Sequence, residues 1–335
     1  MKYAISSIAC FLLSVLFSVL LIPALKTVNV RQTILSYVEE HKNKNGTPTM
    51  GGLIFIIPIF AVFLAMSGIT YTKAFVCLVI AISGGIIGFL DDFIKVRCVK
   101  NQGLKAWQKI VFQTISGIAL SLYAYAITNG ELFLPFSNRF VNIGAHSVVL
   151  NFIAYIALIN TVNLTDGLDG LAVSTSGAFM IGFALILTII FAHFSPMTLF
   201  FEDVDGINLL LTCSVGGLLG YFLVNCYPAN VFMGDTGSMF LGAMISSVCI
   251  VSGMTLLIPV LGIVFVISGL SDILQVSYFK ITKGKRIFKM APFHHHLQQS
   301  GMHENKIVVL YFVITVVAFL IVALFLLKDA YGLFI

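Results

Sequence analysis

Charged residues are scarce in this chain of 335 residues. Asp, Glu, Lys and Arg together make up 10% of it, while 59% is hydrophobic. Soluble domains carry about 25% charged residues, so this chain has too little polar surface to coat a water-soluble protein of its size. Burial against lipid explains the composition. A bilayer core about 30 Å thick needs roughly 20 apolar residues for each spanning helix.

Paired cysteines, linkers and a strong net charge are also missing. The six cysteines are scattered and lack the paired spacing of a zinc site or a disulfide framework. No Pro/Ser-rich linker or block of charge marks a second domain, so we predict a single membrane domain over residues 1–335. The net charge of +5 is mild, and we expect no nucleic-acid partner.

Ten apolar runs predict an all-α integral membrane protein with about ten transmembrane helices. The first run is long for a signal peptide and is followed by no cleavage site, so we interpret it as a membrane helix. The fifth is short for a full crossing. The predicted spans are Ala4–Leu25, Gly51–Met66, Thr72–Leu90, Trp107–Thr128, Val148–Ile159, Leu171–Phe191, Ile207–Val224, Met239–Gly253, Leu256–Phe279 and Ile307–Leu327.

The basic residues predict the orientation of these helices. Of the 19 Lys and Arg residues, 15 fall in the first, third and ninth connections. Because cytoplasmic connections carry the excess of Lys and Arg, the odd-numbered connections are predicted to be cytoplasmic and both termini extracytoplasmic. Asp91, Asp92, Asp166, Asp169 and Asp235 then all lie at cytoplasmic helix ends. Carboxylates near a membrane need a partner, such as a divalent metal or a substrate donor.

Asp91 and Asp92 are predicted to close the third helix at its C-terminal end. The helix dipole repels carboxylates there, so two adjacent acids favour a functional role over capping. Neighbours on a helix point about 100° apart. We therefore expect one of them to face the reaction centre and the other to hold Lys95 or the metal shell.

Two further segments combine acids with glycines. Asn160, Asn163, Asp166 and Asp169 follow one another at three-residue spacing. A capped turn, with Asp169 near the N-cap of the sixth helix, accounts for only one of the acids. Asp235 lies in Met-Gly-Asp-Thr-Gly-Ser, where Asp235, Thr236 or Ser238 are candidate N-caps of the eighth helix. Such an N-terminus also suits a phosphate, and Asp235 is the acid best placed for Mg²⁺.

The last motif is His294-His295-His296, which follows a basic stretch from Lys280 to Lys289. The basic stretch alone is typical of lipid headgroup attraction. Together with the histidines it indicates a site for a phosphorylated substrate. The combined polar residues suit Mg²⁺-dependent phosphoryl chemistry in a cytoplasmic cleft, with a lipid entering from the side.

These motifs resemble those of the bacterial phospho-N-acetylmuramoyl-pentapeptide transferases, within the polyprenyl-phosphate N-acetylhexosamine-1-phosphate transferase superfamily. The similar segments are Thr47–Gly52, Asn163–Gly170, Val231–Ser238 and Met290–His296, and the resemblance covers nearly the whole chain. It implies transfer of phospho-MurNAc-pentapeptide from UDP-MurNAc-pentapeptide to undecaprenyl phosphate, giving lipid I and UMP with Mg²⁺. It also implies a homodimer in the bacterial cytoplasmic membrane.

The resemblance further implies roles for individual residues. Asp235 binds Mg²⁺, with Asp91 and Asp92 as further candidate ligands. Asp92 is a candidate base for the lipid phosphate, whereas a two-step alternative makes an aspartate a covalent nucleophile. His294 is expected at the reacting phosphates or the nucleoside. The expected substrate-binding residues are Lys44, Thr49, Lys95, Lys109, Asn160, Asn163, Asp166, Gly167, Leu168, Asp169, Asn225, Phe232, Gln275, His295 and His296.

Two alternatives stay open at this point. Some superfamily members carry a third acid shortly after the aspartate pair, where this chain has Lys95. We therefore expect Asp235, and not three carboxylates of this one segment, to be central to the metal site. A GlcNAc-1-phosphate transferase is one alternative, which the histidine motif disfavours. A transporter is the other, although transporters place polar groups near the midplane of the bilayer.

Overall fold

The computed structural model describes residues 1–27, 46–67, 70–97, 103–194 and 201–331. Within these ranges nine helices are long and apolar enough to cross a membrane, and a further apolar helix has 15 residues. The elements in chain order are α1 (Lys2–Thr27), α2 (Leu53–Ser67), α3 (Thr72–Arg97), α4 (Ala106–Thr128), β1 (Glu131–Leu134), β2 (Arg139–Asn142), α5 (His146–Thr165), α6 (Leu171–Phe194), α7 (Phe201–Asn225), α8 (Gly234–Val251), α9 (Ile258–Leu261), α10 (Ile263–Ile281), α11 (Phe293–Gln298) and α12 (Glu304–Tyr331).

Each predicted span corresponds to a helix, but two predicted lengths are wrong. The fifth is not short, because α5 has 20 residues and continues through Asn160 and Asn163. Its polar last turns stay helical because their side chains find partners, such as Thr165 Oγ1 donating to the Thr161 carbonyl over 2.7 Å. The ninth is broken, since Pro259 starts the short α9 and Gly262 separates it from α10.

A two-stranded antiparallel hairpin, β1–β2, joins α4 to α5. Its inner face is anchored by the Phe133 amide, which donates to the Gly253 carbonyl over 2.7 Å. The hairpin follows the C-terminal end of α4, so it lies at the opposite end of the helices from Lys109 in the first turn of α4. It closes the end of the bundle that is remote from Lys109.

Helix α8 forms the centre of the bundle, and all its residues from Thr236 to Val251 are buried. It packs most closely against α3, whose glycines allow the two backbones to touch. A Cβ on Gly84 would lie 2.7 Å from the Met239 carbonyl oxygen, and one on Gly88 would lie 2.0 Å from the Asp235 carbonyl oxygen. The close approach at Gly88 fixes the height of Asp235 against α3.

We expect Gly88→Ala to destabilise the protein, because the added Cβ meets backbone atoms that cannot move aside. Overpacking of this kind costs about 1–3 kcal/mol. Thermal unfolding of the detergent-solubilised protein checks the expectation. Gly85→Ala is the matched control, since its Cβ would meet only side-chain atoms of Phe240 and Ile56 at 3.5 Å or more. Equal melting temperatures for the two variants would contradict the close approach.

Candidate active site

Three carboxylates from two helices meet at one end of the bundle. Asp91 and Asp92 lie on α3 and Asp235 lies in the first turn of α8. One oxygen from each falls within 4.8 Å of the others. Asp91 and Asp92 are fully buried, at 0% and 2% exposure, whereas Asp235 is partly exposed. Among the described residues, this is a group able to hold a metal ion, and its all-oxygen donors suit Mg²⁺.

Two lysines neutralise part of this negative charge. Lys109 Nζ lies 2.6 Å from Asp235 Oδ2 and 3.0 Å from Asp91 Oδ1. Lys95 Nζ lies 2.6 Å from Asp91 Oδ2 and 3.2 Å from Asp235 Oδ2. Both ammonium groups therefore share the oxygens that a metal ion would use.

Asp92 caps α8 from the neighbouring helix. Its Oδ2 accepts hydrogen bonds from the Thr236 amide at 2.9 Å and from Thr236 Oγ1 at 2.7 Å, and its Oδ1 accepts one from the Asp235 amide at 3.2 Å. A carboxylate also complements the positive end of the α8 dipole. The sequence suggested that Asp235, Thr236 or Ser238 caps α8. That prediction is wrong, because the capping group is Asp92 of α3.

The prediction that Asp91 and Asp92 close the third helix is also wrong. Helix α3 continues to Arg97, and the ion pair between Lys95 and Asp91 is an i, i+4 contact that supports this last stretch. Both acids of α3 nevertheless place an oxygen within 4.8 Å of an oxygen of Asp235. The expected division of labour is seen in part, because Asp91 does hold Lys95.

The two asparagines of α5 have different partners. Asn163 Nδ2 donates to Asp235 Oδ1 over 3.0 Å and to Ser238 Oγ over 2.8 Å, so Asn163 orients the central acid. Asn160 forms an amide pair with Gln113 of α4 and donates to the Ile156 carbonyl. The structure thus places Asn163 at the acid cluster and Asn160 one turn away, between two helices.

The loop between α5 and α6 brings the histidine motif to the site. A Cβ on Gly167 would lie 2.4 Å from His294 Nε2 and 2.9 Å from His295 Nε2, so only a glycine fits between them. Leu168 next to it is buried. Burial, together with the nearby Asp235, Asp92 and Asp169 carboxylates, raises the pKa of Asp166 to about 8. A neighbouring cation would therefore favour the charged form of Asp166.

Asp169 and Asn225 connect neighbouring loops. Asp169 Oδ2 accepts the Ala229 amide over 3.0 Å, and the Asp169 amide donates to Glu304 of α12 over 2.7 Å. Asn225 accepts the Gly170 amide over 3.1 Å and donates to the Val231 carbonyl over 2.9 Å. Asp169 thus binds the segment before α8, where the sequence suggested a role near the N-cap of α6.

The three adjacent histidines face three different environments. His294 is fully buried, and neither ring nitrogen has a hydrogen-bond partner among the described residues. Burial, helped by the adjacent His295 ring, holds the pKa of His294 well below its usual range, so the ring is neutral. His295 Nδ1 lies 3.2 Å from Gln298 Oε1, and His296 Nδ1 accepts the Lys289 amide over 3.1 Å. His294 therefore presents two ring nitrogens without a partner among the described residues next to the Gly167 loop.

The remaining predicted residues border this centre or support its loops. Phe232 is partly exposed, and its amide donates to the Pro48 carbonyl over 2.8 Å. Thr49 is buried beside Gly234, where a Cβ would lie 2.8 Å from Thr49 Oγ1. Gln275 uses its side chain on the backbone of Ile287 and Phe288. Lys44 lies outside the described residues.

Several residues that hold the site escaped the sequence analysis. Gln113 pairs with Asn160, Glu304 accepts the Asp169 amide, and the Leu104 amide donates to Asp91 Oδ1 over 2.7 Å. Gln113 and Glu304 are polar residues of otherwise apolar helices, and this contrast is the signal that the sequence offered for them. The structure shows that both are buried.

A polytopic helical protein with an acid-and-lysine centre at one end of its helices defines a class of membrane-embedded transferase. Comparison with known proteins agrees with this class. The model of glycosyl transferase family 4 matches residues 74–253, more than half of the chain. Residues 44–56 match signature 1 of phospho-N-acetylmuramoyl-pentapeptide-transferase.

Curated relatives named phospho-N-acetylmuramoyl-pentapeptide-transferase cover nearly the whole chain. The protein of Clostridioides difficile strain 630 is 37% identical over 318 residues, 93% of this chain and 94% of the relative. That of Clostridium novyi strain NT is 39% identical over 328 residues, 96% of each chain. That of Caldanaerobacter subterraneus subsp. tengcongensis is 36% identical over 319 residues, 95% of this chain and 96% of the relative. The chain belongs to the phospho-N-acetylmuramoyl-pentapeptide transferase family.

Proposed function

We propose that this protein transfers phospho-MurNAc-pentapeptide from UDP-MurNAc-pentapeptide to undecaprenyl phosphate, with Mg²⁺, and releases UMP and lipid I. The observation that carries the proposal is the meeting of Asp91, Asp92 and Asp235 with Lys95 and Lys109. Such a centre pairs metal-ligand oxygens with cations suited to a diphosphate. A transporter would place its polar groups near the midplane, whereas these residues lie at one end of the helices.

Asp235, with Asp91 and Asp92 beside it, would hold Mg²⁺, which supplies charge neutralisation for the diphosphate and the leaving UMP. With a metal ion on the carboxylates, Lys109 and Lys95 would be available to bind oxygens of the diphosphate. Asn163 keeps Asp235 oriented. Preorganised charge of this kind stabilises the transition state without reorganisation during the reaction.

We infer that Asp92 is a positioning residue. Both of its oxygens accept hydrogen bonds from the start of α8, and these bonds hold the first turn of α8, with Asp235, against α3. A phosphate monoester has a second pKa of about 6, so the lipid phosphate is mostly a dianion at neutral pH and needs no strong base. This favours direct attack by the lipid phosphate over a covalent step at Asp92.

The nucleoside is proposed to lie against Gly167, Leu168 and Phe232, within reach of His294. His294 offers the unused ring nitrogens of a neutral imidazole there. Three predicted substrate-binding residues form side-chain hydrogen bonds with neighbouring helices and loops instead: Asn160, Asn225 and Gln275. We therefore propose that these three shape the cleft, and that Asp166, Asp169, His295 and His296 border it.

The acid-bearing end is proposed to face the cytoplasm, with both termini outside, because 15 of the 19 basic residues lie in connections at this end. A soluble nucleotide donor would then reach the centre from the cytoplasm, and the lipid acceptor from the bilayer. A homodimer remains an expectation from the resemblance.

The test is an assay of the purified protein with both substrates. We expect UMP release and a lipid-linked product from UDP-MurNAc-pentapeptide and undecaprenyl phosphate, and loss of both when EDTA removes divalent metal. UDP-GlcNAc is the matched donor. Transfer from UDP-GlcNAc alone would instead identify the related GlcNAc-1-phosphate activity.

A further inference from the structure

The start of α12 contacts both loops that border the proposed nucleoside site. Glu304, its first residue, is buried at 7% exposure, and its Oε1 accepts the Asp169 amide over 2.7 Å. The ring of His303, just before it, packs edge-on against the ring of Tyr227, with the ring centroids 5.4 Å apart. Asp169 belongs to the loop between α5 and α6, and Tyr227 belongs to the segment between α7 and α8.

Hydrogen bonds also join these two loops to each other. Asp169 Oδ2 accepts the Ala229 amide over 3.0 Å. Asn225 accepts the Gly170 amide over 3.1 Å and donates to the Val231 carbonyl over 2.9 Å. The proposed nucleoside walls lie on the same two loops, so the position of Asp169 affects the spacing between the walls.

Capping of α12 does not account for the burial of Glu304. An acid in the first turn complements the helix dipole at an exposed position as well. The start of α12 also has another cap, because His303 Nδ1 accepts the Asn305 amide over 3.3 Å. Burial removes water from a carboxylate, and hydrogen-bond donors of the protein must offset that cost. The Asp169 amide is such a donor, so the buried carboxylate serves the contact with the loop.

We propose that Glu304 is a positioning residue for the nucleoside of the donor substrate. Its carboxylate holds Asp169, and through Asp169 it keeps the two loops at the spacing that the nucleoside needs. A protein whose binding-competent arrangement is only partly populated binds its ligand more weakly by that fraction. Loss of the contact therefore weakens nucleotide binding and leaves binding of the lipid phosphate unchanged. The inference rests on the proposed function, because it concerns the donor site of that reaction.

The test compares Glu304→Ala with Glu304→Gln in the full protein. For Glu304→Ala we expect the KM for UDP-MurNAc-pentapeptide and the inhibition constant of UMP to rise about tenfold, as for a lost hydrogen bond to a buried charged group. The KM for undecaprenyl phosphate and kcat should stay within about twofold of the original protein. Glu304→Gln keeps an oxygen acceptor on a side chain of the same length and should recover most of the nucleotide affinity.

Direct titration with UMP, without the lipid acceptor, measures the same affinity independently of turnover. Asn305→Ala is the matched control, since Asn305 lies exposed beside Glu304 and contacts His303 through its backbone amide. A lower melting temperature of Glu304→Ala with an unchanged affinity for UMP would overturn the proposal, because the contact would then be structural only. An equal rise in the KM of both substrates would overturn it as well.

The two proposals can fail separately. If the unaltered protein binds UMP more tightly than Glu304→Ala, yet transfers nothing to undecaprenyl phosphate, the proposed function is wrong and the role of Glu304 in nucleotide binding holds.

Discussion

Asp235→Asn is expected to abolish Mg²⁺-dependent turnover while leaving the protein folded. Asparagine offers one neutral oxygen where the carboxylate offers two charged ones, and its amide group would face the ammonium groups of Lys95 and Lys109. A catalytic metal supplies several kcal/mol, so we expect a loss on the order of 10³-fold in UMP release. The increase in melting temperature on adding Mg²⁺ should disappear as well.

The structure explains why this variant should fold. The start of α8 is capped by Asp92, which bonds the backbone of residue 235 and not its side chain. Glu131→Gln, on the hairpin at the other end of the bundle, is the control and should keep both turnover and the Mg²⁺ response. Near-normal UMP release by Asp235→Asn, with an unaltered dependence of its melting temperature on Mg²⁺, would contradict the assignment of Asp235 as a metal ligand.

Lys109→Gln is expected to separate metal binding from catalysis. Lys109 shares Asp235 Oδ2 and Asp91 Oδ1, so its ammonium group competes with Mg²⁺ for these oxygens. Without it three carboxylates face one lysine, and Mg²⁺ should bind several-fold more tightly. Turnover should nevertheless fall by about 10²–10³-fold, because a preorganised charge on the diphosphate is lost.

Titration of the melting temperature with Mg²⁺ measures the first effect, and UMP release at saturating Mg²⁺ measures the second. Lys105→Gln is the matched control, because Lys105 lies exposed at the start of the same helix, four residues before Lys109. Weaker Mg²⁺ binding in Lys109→Gln than in the control would contradict the competition between the two cations.

Local sequence patterns were sufficient to predict the membrane helices, because the bilayer itself imposes helical structure on apolar segments. An apolar run of about 20 residues has few alternatives to a membrane helix, so each of the ten runs was correctly predicted to be helical, and nine of the resulting helices in the described residues are long enough to cross a membrane. Helix ends were less predictable. Helix α5 continues through Asn163, and α3 through Lys95, because partners on other helices or one turn away satisfy those polar side chains.

Site residues show the same division. The sequence indicated the aspartates, lysines and histidines, since polar residues at a membrane surface need a reason. It did not indicate which of the predicted polar residues form hydrogen bonds within the protein instead of facing a substrate. Asn160 and Gln275 belong to the predicted substrate-binding set, yet their amides pair with Gln113 and with the backbone of residues 287 and 288.

The sequence alone therefore determined the membrane class and the positions of the apolar helices among the described residues, nine of which are long enough to cross a membrane. It could do so because hydrophobicity acts locally and the bilayer enforces it. Only the tertiary structure decided which carboxylates meet. Asp92 and Asp235 are 143 positions apart, and their contact depends on the height at which α3 crosses α8. That height is fixed by backbone contact at Gly88, a packing relation between distant segments that no local pattern carries.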